Sequence, residues 1–343
     1  MLRIEDQVIR TARVAAGTVA YSVVGDGPPV LIGGWWCSHL QLNWQDPLFR
    51  EFLGPLAARH TIIRYDLPGA GASGPAGPLP IDVDDEVGVL AGLVEALGLR
   101  RFDLIGASTG AAAAMAYAAR RPPRLGRLVL YGSFARGADI APAAARDALL
   151  EVVATHWGLG SRLLADVFVP GSSARDRAAF ARFQRSSATR EQAGRSLAAT
   201  YRADVTDALA RVAVPTRVIH RRGDRAVPFT LGADVAAGIP RSTFDALDGI
   251  DHFPWRGDAA EVSDAMLRGL GHHVPARPEP PGPAAITDRE REVLALVTAG
   301  LTDQQIADRL TLSRNTVHRH IANARTKLGV RSRAAAAAAL GPA

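Results

Sequence analysis

From Val8 to Ala246, short apolar runs alternate with longer stretches whose apolar positions recur every three or four residues. The short runs, several of them closed by glycine, have the length and composition of buried strands, and the longer ones have helical periodicity. Strands are expected at Val8 to Val14, Thr18 to Val24, Val30 to Gly33, Thr61 to Asp66, Phe102 to Gly106, Leu128 to Gly132, Thr216 to His220 and Ser242 to Ala246. Helices are expected between them, as at Val83 to Leu97 and Ala111 to Arg120. Such alternation predicts an α/β fold, a doubly wound parallel sheet covered by helices. The rhythm breaks from Phe134 to about Val212, an alanine-rich helical stretch interrupted at Pro170-Gly171. It reads as a helical cap, at about 134–212, over the C-terminal edge of the sheet, where open α/β sheets bind ligands.

A second pattern begins after His272. Five prolines fall between Pro275 and Pro283, which forbids helix and predicts a semi-rigid linker over residues 273–285. It separates a large unit, 1–272, from a small all-α unit, 286–343. In the small unit Thr287 with Glu290 forms a capping box, Val293, Leu294 and Val297 form an apolar stripe, and Gly300 stops the first helix. Thr302 with Gln305 caps a second helix bearing Ile306, Ala307 and Leu310. Ser313 caps a third, whose buried side is Val317, Ile321, Ala324 and Leu328 and which Gly329 ends; Ser332 caps a short alanine helix. Only Thr311 and Leu312 separate the second helix from the cap of the third, the tight connection of a helix-turn-helix.

Composition narrows the chemistry. With 343 residues, 48% of them hydrophobic, the chain can bury one large core and a small second one, which excludes a disordered chain or a stapled peptide. Of 40 basic residues only Lys327 is a lysine, which disfavours Schiff-base enzymes and P-loop hydrolases. The single cysteine, Cys37, supports neither an intrachain disulfide nor a cysteine-rich zinc site, and fits a reducing compartment. No metal site and no cofactor are expected. No run approaches a membrane helix, and Glu5 and Asp6 oppose an export signal, so the expected location is the cytoplasm. The net charge of +6 is unevenly placed: residues 287–343 carry nine basic and five acidic side chains, and Arg309 to Arg333 holds seven basic residues and no acid. A basic stretch of this kind is either a solvated helix face or a nucleic-acid contact.

Gly106-Ala107-Ser108-Thr109-Gly110 is a G-x-S-x-G sequence between a predicted strand and helix, the setting that lifts a serine oxygen out of a sheet on a sharp turn. A nucleophilic serine needs a base, and the base an acid, in the chain order Ser, Asp, His for this arrangement. Asp224 follows one strand and precedes Val227-Pro228; His252 follows the last strand. Asp248 and Asp251 are rival acids by proximity, although a carboxylate adjacent to its histidine in the chain is poorly placed to bond the imidazole. His39, His60, His156 and His220 are scattered and lack this setting, and His272 and His273 lie at the linker. With the Leu31 to Gly34 turn and the RYDLPGAGAS stretch from Arg64 to Ser73, these residues resemble an α/β-hydrolase-fold protein over the first 272 residues. The resemblance implies a catalytic set of Ser108, Asp224 and His252, and an oxyanion hole from the amides of Thr109 and Trp36, with Trp35 as the alternative. The chain reads Gly34-Trp35 where the family usually has His-Gly. GGWWCSHLQLNWQDP is similar to the branch of the family fused to signalling and DNA-binding domains, in which Trp35, Trp36 and Phe253 would line an apolar ligand pocket. Trp255 fits either that pocket or the core.

Residues 286–343 resemble a LuxR-type helix-turn-helix, matching T-x-R-E-x-E-V-L, G-L-T-x-x-x-I-A, L-S-x-x-T-V-x-x-H and K-L-G-V. The resemblance implies that the third helix enters the major groove of double-stranded DNA. His318, Arg319 and Ala322 would then face bases, with Asn323 as an addition, while Arg314, Thr316, Arg325 and Lys327 approach phosphates. His318 stands where the family commonly has a lysine. The whole chain is expected to be a homodimeric transcriptional regulator whose hydrolase-like domain binds, and in one reading hydrolyses, a small acyl ester or lactone. The alternative is a serine esterase or lactonase with an accessory DNA-binding domain.

Overall fold

All eight expected strands form, as β1 (Val8–Val14), β2 (Gly17–Val24), β3 (Pro29–Ile32), β4 (Thr61–Tyr65), β5 (Phe102–Ala107), β6 (Leu125–Tyr131), β7 (Thr216–Arg221) and β8 (Ser242–Leu247). They make one sheet in the order β1-β2-β4-β3-β5-β6-β7-β8. The structure is a computed structural model that describes residues 2–74, 82–275, 286–328, 330 and 332–339. The sheet is parallel from β4 to β8, as expected of a doubly wound α/β-hydrolase-type sheet, while β1 pairs antiparallel with β2, and β2 with β4, at its edge. The reason is local: two residues separate Val14 from Gly17, and a parallel crossover needs a dozen or more.

The central strands are buried on both faces, which is why they read as continuous apolar runs. Val30 and Ile32 point into one core layer with Phe49, Ile105 and Met266, while Leu31 points into the other with Leu90, Leu104 and Met115. The helices of this unit are α1 (Leu40–Gln45), α2 (Pro47–Ala57), α3 (Val83–Ala96), α4 (Thr109–Ala119), α5 (Ala143–Thr155), α6 (Trp157–Phe168), α7 (Ala174–Ser187), α8 (Arg190–Arg202), α9 (Thr206–Leu209), α10 (Phe229–Gly238) and α11 (Ala259–Gly269). Helices α5 to α9 all fall between β6 and β7, and Pro170-Gly171 lies in the break between α6 and α7. Ser173 and Thr189 cap α7 and α8 through their hydroxyl oxygens.

The chain divides into two units at Val274 and Pro275. Most of the expected linker, residues 276–285, lies outside the described residues, as does Gly329, the expected stop of the third helix. The second unit contains α12 (Asp288–Thr298), α13 (Asp303–Leu310), α14 (Arg314–Lys327) and α15 (Arg333–Ala338). Both expected capping boxes form, at Thr287/Glu290 and Thr302/Gln305. Thr311 adopts the left-handed conformation, turning the chain from α13 into α14. Val293, Ile306, Ala307, Val317 and Ile321 form the core, and Leu294, Ala324 and Ala336 pack a second small cluster. Among the described residues, no helix is long and apolar enough to cross a membrane.

Candidate functional site

Ser108 sits on the turn from β5 into α4 with φ 52° and ψ −123°, a conformation that a non-glycine residue adopts only when its surroundings impose it. Its N–H donates to the Tyr131 carbonyl at 2.9 Å, and its own carbonyl accepts from Ala111 N–H at 3.0 Å. The flanking glycines are required by crowding. A Cβ on Gly106 would lie 2.7 Å from Ala114 Cβ, and one on Gly110 would lie 2.1 Å from the Gly34 carbonyl oxygen.

From this turn Ser108 Oγ donates to His252 Nε2 at 2.8 Å, and His252 Nδ1 donates to Asp224 Oδ2 at 2.7 Å. The second carboxylate oxygen, Oδ1, accepts from the amides of Ala226 and Val227 at 2.8 and 3.1 Å. Burial opposes the charge on Asp224, but His252, His220 and the Val227 N–H outweigh it and hold the carboxyl below its ordinary range. The acid therefore stays ionised to orient the imidazole. The rival acids point elsewhere. Asp251 Oδ1 accepts from Gly171 N–H at 2.9 Å, and the Asp248 side chain is 96% exposed beside Arg222.

Two residues assigned no role from the sequence, His220 and Arg221, support the site. His220, fully buried on β7, donates through Nε2 to the Val227 carbonyl at 3.0 Å and lies 3.6 Å from Asp224 Oδ2. Burial first, and then His252, depresses its pKa, so it braces the Asp224 turn as a neutral ring. The only sequence signal was its position four residues before Asp224. Arg221, also buried, fans out to the carbonyls of Asp251, Phe253, Arg256 and Asp258, which fixes the loop carrying His252. No local pattern announces a guanidinium that serves backbone carbonyls.

Trp35, Trp36 and Phe253 line a small space with Ser108, Tyr131 and His252. It has a volume of about 10 Å³, room for about one water molecule. Trp255 packs on Trp35, Phe49 and Phe253, deeper in the core. Thr109 begins α4, and the first amides of a helix lack intrahelical acceptors, so the N–H of the residue after Ser108 has no partner within the helix. The cap is tied to residues that line the space. Trp36 Nε1 donates to Gln184 of α7 at 2.9 Å, His252 N–H donates to the Phe168 carbonyl at 2.8 Å, and the Phe168 ring stacks on His252 with centroids 5.6 Å apart.

In the second unit Val317, Ile321 and Ala324 bury one side of α14, while Arg314, His318, Arg319 and Asn323 are exposed on the other. Thr316, Ala322 and Arg325 are half-buried at its margins. Lys327 departs from its expected place at a phosphate. Its Nζ donates to Glu290 Oε2 at 2.6 Å, with side-chain exposures of 20% for the lysine and 4% for the glutamate. Burial works against the Glu290 charge, but Lys327 and the Thr287 cap more than compensate and lower its pKa. The ammonium is held inside the fold because Glu290 would otherwise be an unpaired buried charge.

The sequence matches known proteins in two places. Residues 30–265 match the alpha/beta hydrolase family, and residues 284–340 match the bacterial regulatory proteins of the luxR family. The 2-hydroxy-6-oxononadienedioate/2-hydroxy-6-oxononatrienedioate hydrolase 2 of Pseudomonas putida is 29% identical over 277 residues, covering 77% of this chain and 96% of that protein. The probable transcriptional regulatory protein SgaR of Hyphomicrobium methylovorum is 52% identical over 54 residues, 16% of this chain and 26% of that protein. An esterase from Exiguobacterium antarcticum shares the fold, with a TM-score of 0.68 at 17% identity over 77% of this chain and 100% of the esterase. The chain therefore belongs to the alpha/beta hydrolase family and carries a luxR-family DNA-binding domain after its hydrolase domain.

Proposed function

We propose that the protein is a homodimeric, cytoplasmic transcriptional regulator whose hydrolase domain binds and cleaves a small acyl ester or lactone. The observation that carries this reading is a hydrogen-bonded Ser108–His252–Asp224 chain on the same polypeptide as a luxR-family helix-turn-helix. In the reaction, Ser108 Oγ attacks the acyl carbonyl as His252 Nε2 takes its proton, and Asp224 stabilises the imidazolium. The amides of Thr109 and Trp36 receive the developing oxyanion. His252 returns the proton to the leaving alkoxide, and water then releases the acyl group by the same route. On DNA, Arg319, His318, Ala322 and Asn323 of α14 face bases, and Arg314, Thr316 and Arg325 approach phosphates. Lys327 instead secures α14 from within.

One observation favours a second reading, binding without turnover: the space at Ser108 admits about one water molecule while the cap is closed. DNA selection on the purified protein, repeated with pooled acyl esters and lactones, tests the regulator. Ester hydrolysis by intact protein and by Ser108→Ala separates the two readings. A selected sequence whose affinity responds to an ester supports regulation by ligand, whereas failure to enrich any sequence overturns the regulator reading.

A further inference from the structure

Trp35 is a wall shared by two spaces. One contains Ser108 and His252; the other, about 50 Å³, lies between the loop after β3 and helix α8 of the cap, with Glu86 of α3 on its far side. The second space is mostly apolar, and none of its described lining residues is cationic. Several of its polar groups are already engaged: Ser38 donates to Asp66 at 2.5 Å, Ser187 donates to the Phe183 carbonyl at 2.9 Å, and Gln192 bonds Gly69 and Thr189. Besides the half-buried Ser196 hydroxyl, two groups are left over. The Trp35 indole N–H is buried without a partner, and no hydrogen bond to the Glu86 carboxyl is found among the described residues.

A carboxyl in such a place is poorly tolerated in its charged form. Burial, and then the neighbouring Asp82 and Asp85, push its pKa up to about 8. Tyr65 of β4 and the buried Cys37 thiol, whose pKa burial pushes up, are the other titratable groups facing it, and the described lining residues of α8 are uncharged. Near neutral pH, then, the space presents an O–H donor, an indole N–H donor and no cation. An anion finds no partner there, and an oxygen acceptor on an uncharged molecule does. Leaving such donors unpaired costs stability that a bound acceptor recovers, and a site built this way strongly rejects analogues that lack the matching oxygen.

We infer that this space is a recognition subsite in which Glu86 and Trp35 hydrogen-bond a second oxygen, keto or hydroxyl, of an uncharged acyl ligand. The inference rests on the proposed binding of an acyl ligand at Ser108, and it names the ligand class more narrowly.

The test compares p-nitrophenyl 4-oxopentanoate and 5-oxohexanoate with the pentanoate and hexanoate. The full-length protein and its Glu86→Gln and Glu86→Leu variants are assayed for hydrolysis, and binding is read from tryptophan fluorescence in the Ser108→Ala background. The expected result is a preference of at least about tenfold for one oxo ester over its parent, kept by Glu86→Gln, whose amide still donates, and lost in Glu86→Leu. In the unsubstituted protein the preference should also fade as pH rises through 8, while in Glu86→Gln it should not. A preference unchanged by Glu86→Leu, or hydrolysis with no preference at all, overturns the subsite and leaves the hydrolase reading standing. Oxo-selective binding without Ser108-dependent turnover does the reverse.

Discussion

Replacing Lys327 with methionine separates two roles for the only lysine in the chain. Methionine keeps the unbranched stem against α12 but removes the ammonium, leaving Glu290, with its side chain 4% exposed, bonded only to the Thr287 cap. Breaking a buried pair by removing one partner costs about 3–5 kcal/mol; in a small domain with water one side chain away, the lower end of that range applies, about 3 kcal/mol. For a unit of this size that is a fall in melting temperature on the order of 10 °C. All five tryptophans, at 35, 36, 44, 157 and 255, lie in the first unit. Tryptophan fluorescence should therefore report an unchanged transition for the hydrolase unit, while helical ellipticity loses part of its amplitude at lower temperature. The pH dependence has a definite sign. Glu290 has a folded pKa below its ordinary 4.5, so its contribution is present above that pH and lost as pH falls below it. The deficit of Lys327→Met should accordingly shrink in acid. DNA affinity should drop with the folded fraction, at an unchanged slope against salt. An unmoved unfolding transition, with a salt slope lower by about one counterion, would refute this reasoning and return Lys327 to the phosphate backbone.

Ser108→Ala should lower ester hydrolysis by a factor of roughly 10³ or more without moving the unfolding transition; equal rates in initial-velocity assays would eliminate the proposed nucleophile. Arg319→Ala should cost about 1–3 kcal/mol of DNA affinity and relax the selected sequence at one position, which competition binding with single-base variants measures. Glu86→Gln should leave stability unchanged below pH 4.5 and raise it progressively above. A raised folded pKa makes ionisation a cost that begins at the unfolded value and is complete above about pH 8. With the discount due to a half-buried group the gain is about 1–2 kcal/mol, read by urea unfolding at pH 5 and pH 9.

The large elements were legible because their signals are local. Buried strands declare themselves as apolar runs, and capping boxes at Thr287/Glu290 and Thr302/Gln305 need only residues three apart. The spacing of Ser108, Asp224 and His252 was readable because strand ends and chain order constrain it. What escaped were contacts made by folding alone. Arg221 serves four carbonyls 30 to 37 residues away, and Gln184 reaches Trp36 across 148 residues. Glu86 looked like one more acid in the first turn of α3 until the cap enclosed it. The Lys327–Glu290 pair was illegible for a related reason: a basic residue near a recognition helix carries the same local pattern whether it meets a phosphate or a buried glutamate. Only the α12–α14 packing distinguishes them.

The closure of the cap bears on why a hydrolase fold would serve a regulator. Three hydrogen bonds tie cap to core at the site: Trp36 to Gln184, His252 to the Phe168 carbonyl and Gly171 to Asp251. A ligand larger than a water molecule must part or rearrange them. At about 1 kcal/mol net each, opening costs on the order of 3 kcal/mol, so the open form is populated at about one part in 10² and apparent affinity is weakened by the same factor. For an enzyme selected for throughput, such a cost at every cycle is a handicap. For a regulator of the proposed kind it would define an off state, from which only a ligand whose contacts in the open form exceed that cost would shift the population. On the proposed reading, the groups inferred at Trp35 and Glu86 would reward a particular ligand during opening and leave others below the threshold.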